Sequence, residues 1–344
     1  MKAMLIHRIV SLSEDPNPLI LANRPIPVPA PGQVLLKVAA CAVCHTELDE
    51  IEGRTPPPRL PVIPGHQVVG RVEQRGQGAE RFQIGERVGV GWIFSSCGDC
   101  PACKAGNENL CPEFQATGRD ADGGYAEYML VDERYAAPIP AVFSDFEAAP
   151  LLCAGAVGYR ALRLANLQDG QHLGLSGFGG SNHLVLQLAR ALYPNSRIFV
   201  FARSPQEQEF ARSLGAAWAG GPSAKAPRQM NAIIDTTPVW SPIVEALRSL
   251  APGGRLVINA IRKEDADKDG LLRLDYAAHL WLEKEIKSVA NVTRADISGF
   301  LDAAAGAGIK PEVQVYLLEE ANTALRELKE RKIRGAKVLK IDQG

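Results

Sequence analysis

Four cysteines in one short segment, Cys97, Cys100, Cys103 and Cys111, constrain this chain more than any other feature. Two residues between successive cysteines let a tight turn aim both sulfurs at one ion, and a fourth thiolate from a nearby loop completes a tetrahedron. A closed set of four sulfurs has no open position, so its expected role is structural. Zinc is the metal this spacing favours; an iron–sulfur cluster also uses four cysteines and ranks below it. Disulfides are the poorer reading. The opening residues, Met1-Lys2-Ala3-Met4-Leu5-Ile6-His7-Arg8, read as a short strand broken by charge and not as a secretory signal. Clustered cysteines without an export signal point to metal.

The chain has 344 residues, enough for about two domains at roughly 100–200 residues each. With 46% hydrophobic and 22% charged residues, it reads as an ordinary globular protein that needs no disulfides to hold its core. A formal charge of −1 gives no field for drawing in nucleic acid or an anionic membrane. No run approaches the roughly 18 apolar residues that span a bilayer. Neither nucleic acid nor membrane is therefore expected as a partner, and the expected location is cytoplasmic.

Residues 1–140 are rich in short β signals punctuated by Pro and Gly. Val34–Val38, Val68–Val72 and Arg87–Val90 read as strands, with turns at Pro56-Pro57-Pro58, Gly76-Gln77-Gly78 and Gly123-Gly124. From about residue 141 to 290, apolar runs at 171–175, 197–202, 231–235, 255–260 and 286–290 alternate with helical segments. Such alternation predicts a parallel sheet covered on both faces. The segment 183–192 sets Leu184, Leu188 and Leu192 on one helical face. The tail, 291–344, carries an amphipathic helix from Glu319 to Lys332 and a last strand around 337–341, which either closes the sheet or returns to the first domain.

Cys44, His66 and Cys153 form a second, dispersed constellation. Two thiolates and one imidazole leave one position open, the arrangement expected of a catalytic zinc that binds an alcohol oxygen. Taken singly, Cys153 in its apolar run would be core, and a lone histidine a satisfied surface group. A third constellation, Ser176-Gly177-Phe178-Gly179-Gly180-Ser181-Asn182, falls between an expected strand and an expected helix. There glycines give a tight turn and the helix N-terminus faces a pyrophosphate, so Gly177, Gly179, Gly180, Ser181 and Asn182 are candidate cofactor contacts.

Together these residues resemble the zinc-containing alcohol dehydrogenases of the medium-chain dehydrogenase/reductase family, in the bacterial branch acting on primary alcohols. The motifs run in the family's order: Cys44-His45-Thr46-Glu47, Gly65-His66, Gly85-Glu86-Arg87-Val88-Gly89, the cysteine lobe, Gly123-Gly124-Tyr125-Ala126-Glu127-Tyr128, Cys153-Ala154-Gly155, the glycine turn and Arg334-Gly335-Ala336-Lys337-Val338. The resemblance implies an α/β chain with a GroES-like β-rich catalytic domain, 1–140 completed by 291–344, and a Rossmann domain with a doubly wound parallel sheet at 141–290. It also implies roles. Thr46 would hydrogen-bond the alcohol and relay its proton, and Glu47 would orient His66. His45 would lie near the cofactor pyrophosphate, and Trp92 would line the substrate pocket. Two zincs per chain and a homo-oligomer, dimer or tetramer, are expected.

Three positions depart from the family pattern. Gln67 follows His66 where Glu is usual, Asp49 replaces a histidine that ends the proton relay, and Asn182 crowds the third glycine position. Cofactor choice rests on Arg203 and Ser204, where an NAD enzyme usually has a carboxylate for the ribose hydroxyls. An arginine–phosphate hydrogen bond contributes about 1.5–3 kcal/mol, so NADP(H) is the preferred expectation and NAD(H) the alternative. The expected reaction is reversible hydride transfer between a primary alcohol or aldehyde and NAD(P). A polyol or aryl-alcohol (cinnamyl-type) dehydrogenase is the rival enzyme, and a non-catalytic zinc-dependent binding module the rival of another class.

Overall fold

The structure, a computed structural model, describes residues 1–330 and 335–342. Arg334 of the closing motif and the end of the helix expected to reach 332 lie outside the described residues. The chain divides into two compact units. The first comprises Met1–Cys153, Val292–Ala305 and the residues from Lys310 on; the second comprises Ala154–Asn291 and Gly306–Ile309.

The first unit is built on a seven-stranded sheet. Its central strand, Gln33–Val43, is buried over most of its length and pairs antiparallel with Val68–Arg75, Tyr128–Asp132 and Ala336–Lys340. A near-continuous apolar run such as Val-Leu-Leu-Lys-Val-Ala-Ala-Cys-Ala-Val suits a strand covered on both faces. Arg87–Val90 and Ala136–Pro138 extend the sheet on one side, and Val313–Leu317 extends it on the other, parallel to Ala336–Lys340. The tail therefore returns to the first unit. Lys337 ties the elements of the tail to one another: its buried ammonium donates to Glu327 Oε2 and Tyr316 Oη, both at 2.6 Å, and to Gln314 Oε1 at 3.1 Å.

The second unit holds six parallel strands in the order Trp218–Gly220, Arg197–Phe201, His172–Ser176, Met230–Asp235, Leu250–Ile258, Glu285–Ser288. In chain order this is 3-2-1-4-5-6, the doubly wound arrangement, with its switch point between the first and fourth strands. Helix Asn182–Leu192 buries Leu184 and Leu188, whereas Leu192 is exposed at the helix end. Phe199, Met230, Ile233, Leu247, Leu250 and Leu256 form one core on this sheet.

The chain leaves the first unit after Cys153, later than the boundary expected at 140. Helix Asp145–Pro150 explains the shift, since it packs on Gln33–Val43, Val68–Arg75 and Ala336–Lys340 of the first unit. A capping box starts it: Glu147 N donates to Ser144 Oγ at 3.2 Å and Ser144 N donates to Glu147 Oε2 at 2.8 Å. The expected helix over Glu319–Lys332 is a 3₁₀ turn, Leu318–Glu320, followed by helix Ala321–Lys329. No helix among the described residues is long and apolar enough to cross a membrane.

Candidate active site

Three segments of the first unit converge on one point. Cys44 stands before helix His45–Ile51, His66 follows a glycine, and Cys153 lies in the wide π-type turn Leu151–Gly155. Their ligand atoms all lie within 4.8 Å of one another, and His66 Nε2 is 3.2 Å from Cys153 Sγ. Gly65 makes the approach possible. Its φ of +100° is a left-handed value, and a Cβ there would collide with the Tyr125 ring and meet Cys41 Sγ at 2.9 Å. The π-type turn widens the backbone where Cys153 must reach inward, as such turns do at functional sites.

Electrostatics prepares the donors. A hydrogen bond with Cys153 holds the Cys44 thiol well below its ordinary range, against burial and with help from His66; the same sharing pushes Cys153 well up. Burial works against charge on His66, yet the Glu47 carboxylate and the Cys44 sulfur leave the imidazole well above its usual range. Thr46 Oγ1 lies 3.5 Å from Cys44 Sγ. Trp92 meets His66 edge-on with ring centroids 4.9 Å apart. His45, at the start of the helix, is exposed. Gln67 is buried without adding charge, and Asp49 is engaged by Arg54.

One carboxylate escaped the sequence reading. Glu50 is fully buried on helix His45–Ile51, and neither of its oxygens has a hydrogen-bond partner among the described residues. Burial, then the charge of Glu47, pushes its carboxyl well above the usual range. The signal available in sequence was its i,i+3 spacing from Glu47, which sets two acids on one helical face.

The cysteine lobe closes on itself. Cys97, Cys100, Cys103 and Cys111 carry free thiols with sulfurs within 4.8 Å of one another. Cys97 Sγ is 3.5 Å from Cys111 Sγ and 4.0 Å from Cys103 Sγ. These separations are far beyond the roughly 2.05 Å of a disulfide. Backbone amides point at the sulfurs: Cys100 N at Cys97 Sγ, Cys103 N at Cys100 Sγ, Cys97 N and Glu113 N at Cys111 Sγ. The amides of Cys100 and Asp99, with Cys111, bring the Cys97 thiol down to about 7. Glu108, buried within the lobe, accepts from Arg294 N and Nε at 3.0 Å and so ties the lobe to helix Arg294–Gly306.

In the second unit the glycine turn joins strand His172–Ser176 to helix Asn182–Leu192. Gly177 has φ +77°, and a Cβ there would press on Thr236 Oγ1 at 2.9 Å; Cβ atoms at Gly179 and Gly180 would meet nothing within 4 Å. Ser181 Oγ donates to Ala154 O at 2.9 Å. Asn182 does not crowd the turn as expected. Its side chain points inward, donating to Gly177 O at 2.8 Å, Ser176 O at 3.1 Å and Thr236 Oγ1 at 3.2 Å. Arg203 is exposed and makes no hydrogen bond or ion pair among the described residues. Ser204 caps the next helix, Pro205–Ser213, with Oγ accepting from Glu207 N at 3.1 Å.

Comparison with known proteins agrees with this architecture. Residues 30–141 match the family model "Alcohol dehydrogenase GroES-like domain". The chain is 42% identical over 333 residues to a probable alcohol dehydrogenase AdhA of Mycobacterium tuberculosis, covering 95% of this chain and 94% of that one. It is 34% identical over 321 residues to an alcohol dehydrogenase of Geobacillus stearothermophilus, covering 91% and 92%. A cinnamyl alcohol dehydrogenase of Sorghum bicolor superposes with a TM-score of 0.82 at 26% identity, covering 98% and 97%. Likeness across both units displaces the binding-module reading. The protein belongs to the medium-chain alcohol dehydrogenases, a family of oxidoreductases, and carries that family's GroES-like domain.

Proposed function

We propose that this dehydrogenase is zinc-dependent and moves a hydride reversibly between a primary alcohol or aldehyde and NADP(H), with NAD(H) as the alternative cofactor. The observation that carries the reading is the convergence of Cys44, His66 and Cys153 within 4.8 Å. Two sulfurs and an imidazole suit zinc, and three protein ligands leave the fourth position for substrate. Zinc held there supplies Lewis acidity, which lowers the pKa of the alcohol hydroxyl and eases loss of hydride from the adjacent carbon. Thr46 relays the hydroxyl proton, its Oγ1 accepting it while giving up its own, and with Asp49 engaged by Arg54 the relay ends in solvent. Glu47 holds the His66 ring so that Nε2 faces the two sulfurs. Trp92 forms an apolar wall beside His66.

The four-cysteine lobe fits a second, structural zinc. A tetrahedron with Zn–S near 2.3 Å requires sulfurs about 3.8 Å apart; Cys97 Sγ lies 3.5 Å from Cys111 Sγ and 4.0 Å from Cys103 Sγ, and all four lie within 4.8 Å of one another. Gly177, Gly179, Gly180, Ser181 and Asn182 seat the cofactor pyrophosphate at a helix N-terminus. Arg203 receives the 2′-phosphate, and Ser204 sets its approach by capping the helix that follows. A homo-oligomer is supported by the open edge strand Glu285–Ser288 and the exposed Tyr276, Trp281, Leu282 and Ile286 around it.

The likeness to the Sorghum enzyme favours one second reading, an aryl-alcohol substrate. A single experiment separates these readings: a zinc count per chain, with turnover of NADPH and NADH across aliphatic, polyol-derived and cinnamyl aldehydes. Two zincs and faster turnover of aliphatic aldehydes with NADPH are expected. A Cys44→Ala variant that kept full alcohol oxidation would remove the catalytic-metal assignment.

A further inference from the structure

In the second unit, a buried charge with several hydrogen bonds sits at the switch point of the parallel sheet. Asp235 ends strand Met230–Asp235 and is fully buried. Its Oδ1 accepts from Ser176 Oγ at 2.7 Å and Thr237 Oγ1 at 2.9 Å, and its Oδ2 faces Lys263 Nζ at 2.6 Å. The ammonium also donates to Thr237 O at 2.7 Å and Val239 O at 3.1 Å, which uses all three of its protons. Lys263 comes from the loop after Leu250–Ile258, and Thr236 is tied to the glycine turn through Asn182 Nδ2. Three strand-exit loops are thus joined in one polar network.

A buried ion pair is no better for stability than a packed apolar pair of the same size. What this one adds is direction, because two of its bonds fix backbone carbonyls of the loop following Asp235. Ligands of open parallel sheets bind outside the strand C-termini at the switch point. Arg203 marks the adenosine side, at the end of Arg197–Phe201, which neighbours His172–Ser176 on one edge. Met230–Asp235 neighbours it on the other. A dinucleotide whose pyrophosphate sits on the glycine turn therefore lays its second half over Thr236–Val239.

We propose that the Lys263–Asp235 pair is a positioning element for the nicotinamide-riboside half of the cofactor, holding the Thr236–Val239 backbone as its seat. This rests on the nicotinamide-cofactor reading above. It also predicts a signature that general loosening of the unit lacks, since the adenosine half should not sense the change.

The test measures binding to the full-length protein by calorimetry, with NADPH, NADH and 2′,5′-ADP as probes. Lys263→Met is compared with Lys263→Met/Asp235→Asn, which leaves no unpaired buried carboxylate should the single variant fold poorly. Roughly tenfold weaker binding of both dinucleotides, with 2′,5′-ADP unchanged, is expected; a single interaction of ordinary strength is worth about that factor. Unchanged dinucleotide binding in the double variant would overturn the proposal, and so would an equal loss of 2′,5′-ADP. A wild type that bound neither dinucleotide would overturn the cofactor reading itself, and this inference with it.

Discussion

Glu47 Oε1 lies 2.7 Å from His66 Nδ1, and both side chains are shut off from solvent. The other carboxylate oxygen accepts from Cys44 N at 2.7 Å. One buried carboxylate thus steadies two of the three residues that converge at the site. Glu47→Gln preserves shape and removes charge, so metal retention or turnover should fall roughly 10–100-fold, the usual scale for a partner behind a metal ligand. Zinc content after dialysis against graded chelator checks this, and a curve matching the wild type would dismiss the role.

Loss of the two cysteine-bearing sites should have different consequences. Cys100→Ser opens the lobe and should lower Tm by at least about 4 °C, the equivalent of more than about 1 kcal/mol in a domain of this size. Cys44→Ser should abolish turnover while leaving the melting curve near that of the wild type. Calorimetry and metal analysis on both variants decide the point. Equal melting losses would mean that the two sites do not divide into structural and catalytic.

Arg203 offers a sharper cofactor test. Arg203→Asp replaces a free guanidinium with a charge that repels a 2′-phosphate and suits ribose hydroxyls. The ratio of kcat/KM for NADPH to that for NADH should fall at least roughly tenfold, corresponding to about 1.4 kcal/mol. A wild-type ratio already favouring NADH would remove the premise.

Glu52 gives the fold an acid-sensitive joint. Burial opposes its ionisation, but Lys329, the Leu12 amide and Arg54 hold its carboxyl down at about 2, against an ordinary 4.5. Lys329 Nζ lies 2.5 Å from Glu52 Oε1, which also accepts from Leu12 N at 3.0 Å. The folded value is depressed, so the contribution is complete above about pH 4.5 and is lost as pH falls from there towards 2. Wild type should therefore lose more Tm than Glu52→Gln over that window. Parallel melting losses in the two proteins would place the acid sensitivity elsewhere.

The clustering of the four cysteines was legible from spacing because they are neighbours in the chain, so local turns nearly dictate the geometry. Cys44, His66 and Cys153 are far apart in sequence, and only the order of the family's motifs linked them; their meeting depends on long-range packing. Asn182 shows the opposite limit. Counting it as a crowded glycine position treated the backbone path as fixed, whereas its amide found acceptors at the ends of two strands. Glu50 stayed hidden because burial on a short helix depends on what packs against it. Likewise the boundary expected at 140 marked a change in composition, while the packing of helix Asp145–Pro150 on the first unit sets the division at Cys153.

The pairing of Ala336–Lys340 with Gln33–Val43 also bears on the order in which the protein assembles during synthesis. The parallel-sheet unit is almost contiguous in sequence and can begin to fold as soon as its strands clear the ribosome. The first unit must keep the Ala40–Val43 end of strand Gln33–Val43 unpaired on one flank until more than two hundred later residues have been made, while Tyr128–Asp132 covers the Gln33–Lys37 end earlier. Its nascent form is therefore the vulnerable one, an unfinished sheet edge with reduced thiols beside it, and the chaperone requirement of this chain should concentrate there.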